Sequence, residues 1–178
     1  FRRVVDSLSQ IDVPAAVAWC EEQCGGPYGT DMRNLISRNW VLSDGPAAMQ
    51  WLSTARPGNE RDLAVFVTYG LWSRQGREPA MKWMAESEGA GEPPPWLAPA
   101  FSTYAKLLSG DDPIEALQWA GRVSNAKERE QVTVGILRVW RATDEAAVEN
   151  WMLQSALPEQ ARAKVRAPLP EEAKPSAG

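Results

Sequence analysis

Few side chains in this sequence are of types that do chemistry, and their spacing limits what that chemistry could be. There is no histidine among the 178 residues. A serine or cysteine nucleophile therefore has no imidazole base, and imidazole metal sites are ruled out. Cys20 and Cys24 form a lone CxxxC, short of the four ligands of a structural zinc site. On one helix they would share a face and could oxidise, but two small half-buried thiols are the expected state. Glu86 in "MAESEGAG" could protonate a glycosidic oxygen if an apolar cleft raised its pKa. Its place at a helix end before a glycine-rich loop makes a solvated carboxylate the expectation. Asp111 and Asp112 could pose as an acid–base pair, yet they stand directly before Pro113, where helix capping is the simpler role. "GGPYGT" lacks the Lys-Ser/Thr ending and the preceding strand of a phosphate loop. Nothing assembles a nucleophile, a base and an oxyanion hole. The expectation is a protein that is not an enzyme and has no cofactor and no metal.

The elements are marked by aromatic residues. Nine tryptophans is far above ordinary usage. Trp19, Trp51, Trp83, Trp119 and Trp151 are separated by 32, 32, 36 and 32 residues. A second series, Trp40, Trp72, Tyr104 and Trp140, keeps the separations 32, 32 and 36. The step from the first series to the second is always 21, so the two share one register. The one irregularity is four extra residues between Tyr104 and Trp119, about one helical turn. A period of this size marks a stacked helix–turn–helix repeat. Packing, not ligand binding, is what a constant register through the whole chain implies for the indoles, each able to bury roughly 150–250 Å².

Local signals agree with helices. Asp12, Asp44, Asp112 and Asp144 stand where N-caps would, and Pro14, Pro46, Pro79 and Pro113 suit a first turn, where no N–H is needed. The second helix of each hairpin is predicted near 13–23, 46–55, 78–87, 113–123 and 144–155. The first helices are predicted near 30–41, 60–73, 97–108 and 127–141, with a fragment at 2–9. "RDLAVFVTYGLW" is apolar at nearly every position, which fits a helix packed on both sides, although Val65, Phe66 and Val67 also suit a strand. Breakers such as "RPGN" and "EGAGEPPP" separate the hairpins.

In period, alanine placement and aromatic anchors the chain resembles the tetratricopeptide-like class of helical-hairpin repeats. The unit is 32 residues rather than 34, and the Gly and Tyr of a "WxxLGxxY" phrase do not follow each Trp. A broader α-solenoid group is the better description. The predicted fold is all-α, a right-handed α-solenoid of about four to five hairpins over 1–166. Its units lie near 1–23, 30–55, 60–87, 97–123 and 127–155, with a polar capping helix at 159–166. The Pro/Ala-rich segment 167–178 cannot bury a core and alone should be disordered. The chain begins with Phe, so more chain, or a partner, is expected upstream of an open first face.

The resemblance implies a protein-interaction surface. The expected function is a non-catalytic interaction scaffold or accessory subunit of a larger complex, with a protein partner. The alternative is a helical domain flanking a catalytic module that acts on peptidoglycan or glycans; the Glu-Ser at Glu86 resembles that of lytic transglycosylases, without their following Gly-Leu-Met-Gln phrase. A net charge of −4 argues against nucleic acid, including single-stranded RNA. The longest nearly apolar run, 63–72, is too short to cross a bilayer as a helix. Neither cytoplasm nor periplasm is favoured. Arg38, Arg74, Arg77, Arg138 and Arg141 fall near the turn between first and second helices and would line one edge. They either offset the negative helix C-termini or meet an anionic patch on a partner. Trp96 fits neither aromatic series and is the one indole available for recognition, or else a loop anchor.

Overall fold

The computed structural model describes residues 2–23, 29–87 and 91–168. The described residues are helical, and no strand occurs among them. The order is α1 (Arg2–Ile11), α2 (Val13–Gln23), α3 (Gly29–Trp40), α4 (Gly45–Ser53), α5 (Asn59–Gln75) and α6 (Arg77–Ser87). A 3-10 helix (Pro95–Ala100) then leads into α7 (Phe101–Leu108), α8 (Pro113–Gly121), α9 (Ala126–Arg141), α10 (Glu145–Gln154) and α11 (Glu159–Arg166). The segment at 167–178 falls outside the description from residue 169 onward.

The same short turn enters α2, α4, α8 and α10. The amide of Asp12, Asp44, Asp112 or Asp144 donates to the carbonyl four residues back, on Leu8, Trp40, Leu108 or Trp140. The carboxylate of the same Asp then accepts from the amide three residues on, at 2.9–3.0 Å in each case. One residue thus ends the first helix and starts the second, satisfying donors that the helix cannot. The four extra residues are accounted for here. α3 stops on Trp40 and the turn 41–44 follows, whereas α7 runs one helical turn past Tyr104 to Leu108 before the turn 109–112.

Two expectations need correcting. The segment 97–108 is not one α-helix: Pro95 and Pro99 lack the N–H donors that α-helical bonding needs, so the chain runs as a 3-10 turn until Phe101. At the other end, α1 is a full helix of ten residues rather than a fragment at 2–9.

Each helix packs on its sequence neighbours. α1, α3, α5, α7, α9 and α11 lie against one another in that order, the 3-10 segment filling much of the contact between α5 and α7. α2, α4, α6 and α8 each sit between the helix before and the helix after, and α10 packs on α9. No helix packs closely on one more than two α-helices away along the chain.

The buried positions follow the tryptophan register but are mostly not the tryptophans. Three residues before each first-series indole stand Ala16, Ala48, Ala80, Ala116 and Val148, all wholly buried. One residue after it stand Cys20, Leu52, Met84, Ala120 and Met152, again wholly buried. Spaced four apart, these two positions form the inner face of each second helix, and the small one lets the next first helix approach. Of the indoles only Trp51, Trp72 and Trp119 are buried; the other described ones are partly exposed and lie over this core.

Ring contacts occur mainly inside a hairpin. Trp40 meets Trp51, Trp72 meets Trp83 and Tyr104 meets Trp119, with centroids 6.0, 5.5 and 4.8 Å apart. Between hairpins, Trp72 reaches back to Gly45 and Trp83 reaches forward to Trp96. The indoles therefore clamp first helix to second at least as much as they wedge hairpin against hairpin.

Candidate interaction surface

The candidate acids are accounted for structurally. Asp112 caps α8, and Asp111 pairs with Arg77 at 2.5 Å. Glu86 is exposed and lies 3.8 Å from Lys82 one turn before it. No group of three or more potential metal ligands occurs among the described residues. Cys20 departs from the expected half-buried thiol: it is wholly buried in the last turns of α2 and is disulfide-bonded. Cys24 and the segment "GGPYG" at 24–29 lie outside what can be described of side chains.

The five arginines divide into two groups. Arg77 donates to the Leu107 carbonyl at 2.6 Å, in the last turn of α7. Arg141 donates to the carbonyls of Val165 and Arg166, at 3.3 and 2.8 Å, at the end of α11, and also holds Glu145. Arg138 reaches the Pro168 carbonyl at 3.3 Å. These three carry positive charge from the end of one hairpin's turn to the carbonyl-rich end of the following helix, where the helix dipole is negative. Arg74 donates only within its own helix, to Gly70 at 3.0 Å, and Arg38 is exposed in the last turn of α3. Those two present their charge outward.

Beside Arg74 lies apolar surface that the sequence pattern hides. α5 does have neighbours on several sides, but Leu63 is 56% exposed and Phe66 42%. Together with Gly70 and Arg74 they share one helix face, at separations of three and four residues. Leu42, half exposed in the turn after α3, accepts through its carbonyl from Gln75 at 3.4 Å on the side of α5 that faces α3. The exposed strip on α5 is therefore Leu63 and Phe66, with Arg74 toward its C-terminal end. An all-apolar run gives no periodicity by which to tell Leu63 and Phe66 from Val65 and Tyr69, which are wholly buried. Their exposure was therefore not readable in advance.

Trp96 does not stand free. It is half-buried against the core, its ring 6.3 Å from that of Trp83. A separate groove of about 530 Å³ lies between α8, α9 and α10, with Leu117, Thr133, Trp151 and Leu157 in its walls and Arg129 and Glu130 beside them.

Perturbed ionisable groups are few and structural. Burial pushes the Tyr69 hydroxyl up, and it donates to the Ala80 carbonyl at 3.2 Å, tying α5 to α6. Burial lowers Arg33, whose guanidinium lies 4.6 Å from the centre of the Trp51 ring. No helix of the described residues is long and apolar enough to cross a membrane. No family model, curated protein or solved structure matches this chain.

Proposed function

We propose that the chain is a right-handed α-solenoid of helical hairpins that acts as a non-catalytic scaffold for a protein partner. The observation that carries this reading is the local packing: each described helix packs mainly on helices one or two places away along the chain. Linear packing of that kind builds long surfaces instead of one enclosed cleft. The docking face is the exposed strip of Leu63 and Phe66 on α5, with Arg74 at its end. Its chemistry suits an amphipathic segment with an apolar side and a few carboxylates, since buried apolar anchors supply affinity and rim charges supply steering.

The test is affinity purification of the intact chain and of two variants, Phe66→Glu and Arg74→Glu. Both variants are expected to lose a partner that the parent retains, while far-UV circular dichroism stays unchanged. The same partner recovered equally by all three would remove this face from consideration. Truncation after Val165, run in parallel, shows whether the final segment contributes to binding.

A further inference from the structure

We infer that Arg33 and Trp51 form a binding site for a carboxylate, brought by a small organic acid or by an acidic side chain of another protein. The site lies between α3 and α4 and does not depend on the strip of α5 proposed above as a docking face. Its two donors come from different helices. The Arg33 guanidinium, in the second turn of α3, lies over the Trp51 ring, 4.6 Å from its centre. Nη1 of Arg33 and Nε1 of Trp51 are both buried, and neither has a hydrogen-bond partner among the described residues. Trp51 as a whole is only 7% exposed. A buried donor left unpaired costs more than an ordinary hydrogen bond returns, so two this close together call for an acceptor.

Trp119 shows which acceptor suits such a pair. It is the other buried indole of the first series, and Arg122 lies over its ring at 4.5 Å, as Arg33 does over Trp51. There Nε1 donates to the carboxylate of Glu115, one turn earlier in α8, at 3.3 Å. One turn before Trp51 stands Ala47, which brings no side-chain acceptor. Indole and guanidinium are thus stacked in both hairpins, and the carboxylate is built into only one. The position of Arg33 points the same way: 32 and 64 residues further on stand Val65 and Leu97, both wholly buried, so packing there is met by apolar side chains. Burial lowers the pKa of Arg33, and Glu21, the acid whose charge opposes that shift, is exposed and does not bond Nη1. An anion received at Nη1 offsets the desolvation.

A carboxylate serves better than a neutral acceptor because one donor is charged and because its two oxygens can take one donor each. Both nitrogens are covered, so something must move to admit it. Arg33 is partly exposed on a flexible stem, and its guanidinium is the cover that swings aside from the indole.

The test is proton–nitrogen NMR of the intact chain, following the indole N–H of Trp51, assigned with Trp51→Phe. Sodium acetate is added against sodium chloride at equal ionic strength, and a second arm uses an end-blocked peptide carrying one glutamate. The expected result is a saturable shift of the Trp51 resonance that chloride does not produce, half complete on the order of 10 mM acetate, as suits one carboxylate held by two donors. Arg33→Met weakens the response at least about tenfold, the loss of one charge-assisted hydrogen bond. Ala47→Glu supplies the carboxylate as α8 does; it moves the resonance without acetate and abolishes the response to it. Saturation by the peptide assigns the site to an acidic side chain of another protein, and a response to acetate alone assigns it to a small organic acid. A resonance moved no further by acetate or peptide than by chloride overturns the inference. So does a response undiminished in Arg33→Met, or one that persists in Ala47→Glu. Circular dichroism checks the helices of each variant, and Ala47→Glu decides the matter if Arg33→Met does not fold. Phe66→Glu leaves the response unchanged, so this site and the α5 strip fail separately.

Discussion

Gly45 is where a single atom decides the packing. A Cβ built there would collide with the indole ring of Trp72, so only glycine lets that indole rest on the first turn of α4. Gly45→Ala is expected to destabilise the protein by about 1–3 kcal/mol, the usual range for overpacking a core. Urea denaturation followed by tryptophan fluorescence checks it, and an unchanged midpoint would mean that Trp72 can move aside at no cost. At this scale the capping aspartates were legible in advance, because an Asp before Pro or Ala at a helix start has one dominant use. The inner positions were harder. Attention goes to indoles, yet Ala16, Ala48, Ala80, Ala116 and Val148 are the residues that are buried every time. Small side chains carry little periodic signal in hydrophobicity, although their closeness sets how near two helices can come.

At the level of elements, charge fixes the ends of helices. Arg166 holds Glu149 through two hydrogen bonds of 2.9 and 2.7 Å, joining the end of α11 to α10. The hydrogen bond and the positive charge of Arg166 keep the Glu149 carboxyl below its ordinary range, against a smaller opposing effect of desolvation. In the unfolded chain that carboxyl titrates at its ordinary value. The pair therefore supports the fold at any pH above the ordinary carboxylate range, and its contribution disappears as pH falls through the lowered value. Arg166→Ala is expected to raise the Glu149 midpoint in an NMR titration and to speed amide exchange in α11 at neutral pH. An unmoved midpoint would show that Arg166 does not hold the carboxylate in solution. Helix positions were readable from the sequence wherever caps and prolines punctuate it, as in "DGPAAMQW" and "DDPIEALQW". They were misread at 97–108, where prolines inside an apolar segment substitute 3-10 for α geometry. The arginines show a related limit: cations near helix ends are visible in sequence, but whether they serve their own helix or the next depends on how the helices are placed. Arg74 does the first, Arg77 and Arg141 the second.

For the whole molecule the consequence is near-independence of distant parts. The described helices share one continuous core, but the main contacts of each are with helices nearby in sequence. The sequence pattern made the all-helical class legible. It could not reveal which surface would remain exposed, since Leu63 and Phe66 differ from their buried neighbours only in orientation. In the proposed solenoid, stability is a sum of local and nearest-neighbour terms, so damage at one hairpin should stay there. Trp119 offers the cleanest site for damage: it is the most deeply buried indole and contacts both Phe101 and Tyr104. Native-state hydrogen exchange of Trp119→Ala, compared with the parent, is the decisive measurement. The account predicts that α7, α8 and α9 lose protection, by roughly the 3–5 kcal/mol of a large aromatic truncation, while α1 and α3 keep theirs. Equal loss of protection in α1 and α3 would contradict it, because it would show a single core that opens as a unit.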